Sequence, residues 1–257
     1  MTKTIVFIHG MFQNPKSWSR WQDYFGVRGY STLAPAWPCH EGEPRQLREN
    51  PPLALNDLGL EAILASMEAT VRSLPDKPIV IGHSVGGLVA QLLAAKNLAE
   101  LAIPIASVAP NRMMTIDWPF FKNVMAITNP LKGDDLFLQT PESFHGAFAN
   151  TLSEAEARVA FEEYATHDSR TVLRDCLGPL AHVDFEAPHV PLLFLAGTED
   201  QIVPWELVSK NAKAYEGNST VREFKRSHYI CGEPGWEEVA GVAHEWIERN
   251  GGGAQAR

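Results

Sequence analysis

Six short apolar runs constrain the fold of this chain most: Thr4 to Ile8, Ser31 to Ala34, Ile79 to Ile81, Ile103 to Ala109, Leu192 to Ala196 and Thr220 to Phe224. They are rich in β-branched residues but do not alternate apolar with polar, the pattern of strands covered on both faces, as in a parallel sheet. Parallel strands need crossovers, and the sequence between the runs supplies helices. Leu53 to Leu74 sets Leu60, Ile63, Leu64, Met67 and Val71 at offsets of three and four, on one helical face. Val85 to Leu98 is apolar nearly all round and is expected to be buried, while Trp236 to Ile247 reads as an amphipathic closing helix. Strand and helix in alternation predict the α/β class, with a doubly wound, mostly parallel sheet.

The alternation fails once. Between residues 111 and 188 there is no convincing strand, but Met113, Met114, Trp118, Phe120, Phe121, Phe137, Phe144 and Phe148 occur, followed by a Ser153-to-Glu156 helix start. This stretch reads as a helical cap inserted into the sheet domain. The expected organisation is a core at 1–110 and 189–250, a cap at 111–188 and a flexible tail at 251–257. The cap aromatics either fill the cap's own core or line an apolar pocket, and Phe12, Trp118, Phe121 and Phe144 are the candidates for that lining.

The 257 residues are 45% hydrophobic and 21% charged, a globular balance that excludes a disordered or fibrous chain. A net charge of −9, with no Lys/Arg stripe to offset it, argues against nucleic acid as a partner. Cys39, Cys176 and Cys231 lack the paired spacing of zinc sites or disulfide scaffolds, so incidental thiols and no metal are expected. No run approaches the length that spans a bilayer, and no leader pattern opens the chain. A soluble cytoplasmic protein without stable membrane insertion is expected; the sequence assigns no oligomeric state.

The chemical signal is Gly82-His83-Ser84-Val85-Gly86-Gly87, set between the apolar run Pro78 to Ile81 and the buried helix. A strand that turns abruptly into a helix exposes its middle residue at the sheet's carboxyl edge, and small neighbours make room for it. Ser84 is the expected nucleophile. A serine needs a base, and among nine histidines His228 stands out, four residues past the last strand and before the closing helix. His167-Asp168-Ser169 imitates a triad in sequence only; it falls within the cap and reads as a loop or helix end. His83, His182, His189 and His244 read as packing or surface residues. The base needs a carboxylate, and the turn after Leu192 to Ala196 offers Glu199 and Asp200, with Asp200 preferred on the alternation of turn directions. Where the first strand ends, Phe7-Ile8-His9-Gly10-Met11-Phe12 brings backbone near the reacting centre. The oxyanion hole is assigned to the amides of Met11 and Val85, with Phe12 second to Met11; His9 is expected to support the turn.

These motifs together resemble the α/β-hydrolase fold superfamily, in its serine esterase, lipase and cofactor-free haloperoxidase-like branch. The resemblance covers the sheet portion and rests on His9-Gly10, the Gly29-Tyr30 to Pro38 segment, Gly82 to Gly87, Gly197 to Pro204 and Ser227-His228. It also favours Asp200 over Glu199. Two departures stand out: Ala34-Pro35-Ala36-Trp37-Pro38-Cys39-His40-Glu41-Gly42 replaces the usual Ala-Pro-Asp-x-Pro-Gly-His-Gly, and Ser227 stands where glycine is common. The resemblance implies the fold, and the set Ser84, His228 and Asp200 implies the reaction: a serine hydrolase that needs no cofactor and cleaves carboxylic esters of small or medium apolar substrates through an acyl-enzyme, with a small-molecule ester as its partner. Same-fold alternatives are C–C bond hydrolysis, thioester cleavage, cofactor-free oxygenation, or a ligand receptor without turnover.

Overall fold

The computed structural model describes residues 2–113 and 136–251. Strands β1 (Thr4–Ile8), β2 (Ser31–Leu33), β3 (Ile79–His83), β4 (Leu101–Ile105), β5 (Leu192–Gly197) and β6 (Ser219–Phe224) form one sheet in the order β2-β1-β3-β4-β5-β6. All pairings are parallel. Successive side chains point to opposite faces. Ile5, Phe7, Ile79, Ile81, Leu193 and Leu195 pack with Trp21, Phe25, Val239, Ala243 and Ile247 of helices Ser19–Gly26 and Trp236–Asn250. Val6, Ile8, Val80, Phe194 and Ala196 pack with Ile63, Met67, Leu88, Val89 and Val208 of helices Leu60–Arg72, Val85–Ala95 and Trp205–Lys213. Both faces are covered, which is why the central strands lack polar alternation.

Two elements differ from the sequence expectation. The fourth strand begins at Leu101 and ends at Ile105. Pro104 sits inside this central strand and has no N–H to donate. The Ala102 amide bonds Pro191 O at 3.2 Å and the Ala106 amide bonds Leu195 O at 2.8 Å. The donor between them is missing, and register to β5 survives only at Ala102 and Ile105. The unbroken ladder to β3, from Ile79↔Leu101 to His83↔Ile105, holds the strand in place. At its far end Ala106, with φ of 44°, turns the chain, so residues 106–109 run buried beside Ser84 instead of extending the strand. The second difference is at Leu53 to Leu74: a 3-10 turn, Leu53–Asp57, precedes the helix, which starts at Leu60 where Asp175 Oδ2 accepts the Leu60 amide at 2.9 Å.

Between β4 and β5 the described residues hold helices Glu154–Tyr164 and Arg170–Cys176, short turns at 141–148 and 179–181, and one antiparallel bridge, Phe137↔Asp168. Ser153 caps the first helix through a reciprocal bond with Glu156, as the spacing predicts. Phe144, Phe148, Ala157, Phe161 and Tyr164 gather with Tyr229 into a separate apolar cluster. Trp118 and Phe121 lie outside the described residues. Among the described residues no helix is long and apolar enough to cross a membrane, and no group of three or more His, Cys, Asp or Glu side chains is arranged to hold a metal ion.

Candidate active site

Ser84 stands between β3 and helix Val85–Ala95 with φ of 56° and ψ of −119°. A non-glycine residue held there stores about 1–3 kcal/mol of strain, so its neighbours must fix it. They do so on both sides. The Ser84 amide donates to Ile105 O at 2.9 Å, and its carbonyl accepts from Gly87 at 3.0 Å and Val108 at 3.2 Å. The turn closes only because Gly82 and Gly86 lack side chains: a Cβ on Gly82 would stand 2.0 Å from Gly86 O, and one on Gly86 2.3 Å from Ile8 O. Val85, the first helical residue, follows a serine whose side chain makes no capping bond. Its amide has no intrahelical acceptor and lies at the positive end of the helix dipole.

His228 follows β6 and Asp200 follows β5, so both loops open at the edge where β3 delivers Ser84. His228 Nδ1 donates to Asp200 Oδ2 at 2.7 Å, with both side chains buried. Asp200 Oδ1 accepts the amides of Ile202 at 2.7 Å and Val203 at 2.9 Å. With Oδ1 taken up by the two amides, Oδ2 is the acceptor that faces the ring, and the imidazole proton of that bond sits on Nδ1. Nε2 therefore carries the lone pair. Glu199 is half-buried beside it, its carbonyl accepting Asn150 Nδ2 at 2.9 Å.

His83 ties this pair to the serine. Its Nε2 donates to the carbonyl of His228 at 2.8 Å, and the two rings stand 4.7 Å apart. Gly10 approaches from β1, where a Cβ would lie 2.9 Å from Ser84 Cβ. Among the described residues the Ser84 hydroxyl makes no hydrogen bond within 3.5 Å, to His228 or to any other group. Such contacts commonly tighten only when a substrate binds.

Burial, and then the neighbouring His228, push the His83 pKa down to about 3. Its Nδ1 is buried without a partner, so a second proton would have nowhere to bond. The folded protein thus keeps His83 neutral where an unfolded chain, near 6.5, takes up a proton. Stability from this residue is complete above pH 6.5 and is lost as pH falls toward 3, at about 1.4 kcal/mol per pH unit within that window. His9, also lowered by burial, adds to the slope. Thermal unfolding followed by circular dichroism should show a shallower acid limb for His83→Asn than for wild type; equal limbs would refute this account.

The loop after β1 is fixed from two directions. His9 is fully buried, with Nδ1 donating to Gly10 O at 2.9 Å and Nε2 accepting the Trp37 amide at 3.2 Å, so it supports the turn as expected. Phe12 has φ of 63°, and both its backbone polar groups are taken by the inserted segment. Its amide donates to Asp168 Oδ2 at 3.0 Å, and its carbonyl accepts the Thr166 amide at 3.0 Å. The Phe12 amide is therefore engaged, while the Met11 amide has no partner among the described residues. Ser169 is the N-cap of helix Arg170–Cys176, in keeping with the helix-end reading of His167-Asp168-Ser169. The buried contact of Asp168 with the β1 loop was not foreseen. Its one local signal is an acid placed directly before a capping serine.

The inserted segment also reaches the other loops. The Tyr229 amide donates to Phe148 O at 2.8 Å, and Glu233 accepts the Ser227 amide at 3.2 Å and the Thr151 hydroxyl. Of the aromatics, Phe148 meets the His228 ring at 5.4 Å. Phe144, 4.7 Å from Phe148, lies one ring behind it, and Phe12 faces Phe137 at 5.5 Å. The pair Phe144 and Phe148 bounds a π-helical turn, a wide geometry that often accompanies functional sites.

The sequence profile of the alpha/beta hydrolase family matches residues 5–243. Among solved structures, an extracellular alpha/beta-hydrolase from a Paenibacillus species, described as sharing structural and functional homology with tobacco salicylic acid binding protein 2, superposes with a TM-score of 0.72 at 17% identity, covering 95% of this chain and 98% of that one. The monoacylglycerol lipase of Paleococcus ferrophilus gives 0.71 at 18% identity, covering 97% and 96%. Polyneuridine aldehyde esterase gives 0.67 at 15%, covering 96% and 99%. No curated protein matches the sequence.

Proposed function

The chain belongs to the alpha/beta hydrolase family, and on that premise we propose that it is a serine hydrolase that cleaves carboxylic esters of small or medium apolar compounds through an acyl-enzyme. One observation carries the reading. The bond from His228 Nδ1 to Asp200 at 2.7 Å leaves Nε2 basic at the sheet edge that presents Ser84. Ser84 Oγ attacks the ester carbonyl while His228 Nε2 takes its proton, and Asp200 stabilises the imidazolium that forms. The oxyanion meets the amides of Met11 and Val85, both without partners among the described residues. His228 then protonates the leaving alkoxide and activates the water that releases the acid. Protein groups carry every step of this scheme without a cofactor.

The preference for apolar substrates rests on Phe148 against the His228 ring with Phe144 behind it, and on Phe12 of the β1 loop, which packs with Phe137. In this reading residues 111–188 form a cap over the site. The esterase and lipase among the solved relatives are in keeping with ester chemistry. A fluorophosphonate probe should label the native protein at Ser84 and leave Ser84→Ala unlabelled, and nitrophenyl esters of graded acyl length should then give turnover. Labelling without hydrolysis of any ester would move the assignment to C–C, thioester or oxygenase chemistry. A native protein inert to the probe would favour a receptor.

A further inference from the structure

Phe12 holds a left-handed backbone conformation that costs a bulky residue about 1–3 kcal/mol and that no strand ladder enforces. What enforces it is a carboxylate from 156 positions along the chain. Asp168 is fully buried, with Oδ1 accepting the Ser169 amide at 2.8 Å and Oδ2 accepting the Phe12 amide at 3.0 Å. His40 stands against the same oxygen, its buried Nε2 3.5 Å from Oδ2 and without a hydrogen bond. His40 Nδ1 faces the carbonyl of Pro38 at 3.2 Å, and a carbonyl can only accept. Both ring nitrogens thus face acceptor oxygens. Burial pulls the His40 pKa down, but the Asp168 carboxylate more than offsets this and the net shift is upward. The result is a buried carboxylate beside His40 that spends one oxygen on the Ser169 amide and the other on a backbone amide of the β1 loop.

Burying a carboxylate is costly, and a neutral acceptor would satisfy a backbone amide without that cost. A carboxylate oxygen is a strong acceptor, and its 3.0 Å bond to the Phe12 amide suits a peptide that must not move. The peptide in question joins Met11 to Phe12. Its plane, once held at the Phe12 N–H, fixes the torsion that aims the Met11 residue. We infer that Asp168 is a positioning residue: through the Phe12 amide, and packed against His40, it sets the Gly10–Phe12 turn so that the Met11 amide is ready for the oxyanion formed at Ser84. The inference rests on the serine-hydrolase reading and deepens it.

The test uses the full chain and the nitrophenyl ester best hydrolysed by wild type, together with a trifluoromethyl ketone, whose adduct with Ser84 places an oxyanion at the same point. Asp168→Ala should lower kcat by about 10- to 100-fold with KM within about threefold, the loss expected of a misplaced reacting group. Its affinity for the trifluoromethyl ketone should fall in parallel with kcat/KM. The double variant His40→Gln/Asp168→Asn leaves no buried charge unpaired, and it should fold and show the same pattern with a smaller loss. Unchanged kcat in a folded variant, or a fall in kcat with full affinity for the ketone, would overturn the assignment. Loss of near-ultraviolet circular dichroism in both variants would make Asp168 a structural staple and overturn it as well. A wild type inert to ester and fluorophosphonate alike would sink the hydrolase reading, whereas an active wild type with unaffected variants would sink only this inference.

Discussion

Replacing His228 by alanine is expected to lower kcat for ester hydrolysis by about 10⁶, and replacing Asp200 by asparagine by about 10⁴. The first loss follows from the absence, among the described residues, of another base placed to serve the serine. His83, the nearest alternative, has its Nε2 proton committed to the His228 carbonyl and stays neutral. The second follows from hydrogen-bond direction. Asp200 Oδ1 accepts two amides, Ile202 and Val203, so an asparagine must turn its oxygen toward them. Its NH2 group then faces His228 Nδ1, which can meet it only as an acceptor. The ring proton moves to Nε2, toward Ser84, and the base becomes an acid. Steady-state hydrolysis of a nitrophenyl ester by variants with native circular dichroism checks both values. A loss under tenfold in either variant would break the proposed mechanism. The combination Ser84→Ala/His228→Ala should be no worse than either alone, because the residues act as one unit.

How much of this was legible in the sequence depended on the range of the interactions involved. The strands of β1, β3 and β5 were legible because burial on both faces leaves continuous apolar runs. The bounds of β4 were not, since Pro104 hides its beginning and the buried residues after Ala106 imitate its continuation. Ser84 was legible from a local motif, because strand, turn and helix adjoin in sequence. Asp200 and His228 were legible as loop residues following strands, while their meeting at 2.7 Å depends on β5 and β6 lying side by side. Asp168 was hidden for the opposite reason. Its partners, Phe12 and His40, lie far away in the chain, and nothing near residue 168 encodes them. Phe144 and Phe148 show a finer limit: both are apolar and four apart, and only the π-helical turn decides which ring meets His228.

The largest stability effect is expected at Gly82. Substitution by alanine places a Cβ 2.0 Å from Gly86 O and 2.4 Å from Gly86 C, distances at which backbone must move. The movement has no free direction. Gly82 pairs with Ile8 on one side and Pro104 on the other in the centre of the sheet. Gly86 is pressed against the carbonyls of Ile8 and His9, and the amide and carbonyl of Ser84 are bonded to β4 and the residues beyond it. Relief would require breaking the strand ladder or letting Ser84 leave its left-handed conformation. Overpacking of ordinary core sites costs about 1–3 kcal/mol. A backbone clash at a strained, buried turn should exceed that and reach about 5 kcal/mol, or about 10–20 °C in Tm for a chain of this size. Gly26→Ala is the matched control. Gly26 ends an exposed helical turn, and a Cβ there meets nothing within 4 Å, so Tm should stay level or rise slightly. Calorimetry on the pair would decide the point, because equal Tm values would mean that the close approach of Gly82 and Gly86 is not what holds Ser84 in place.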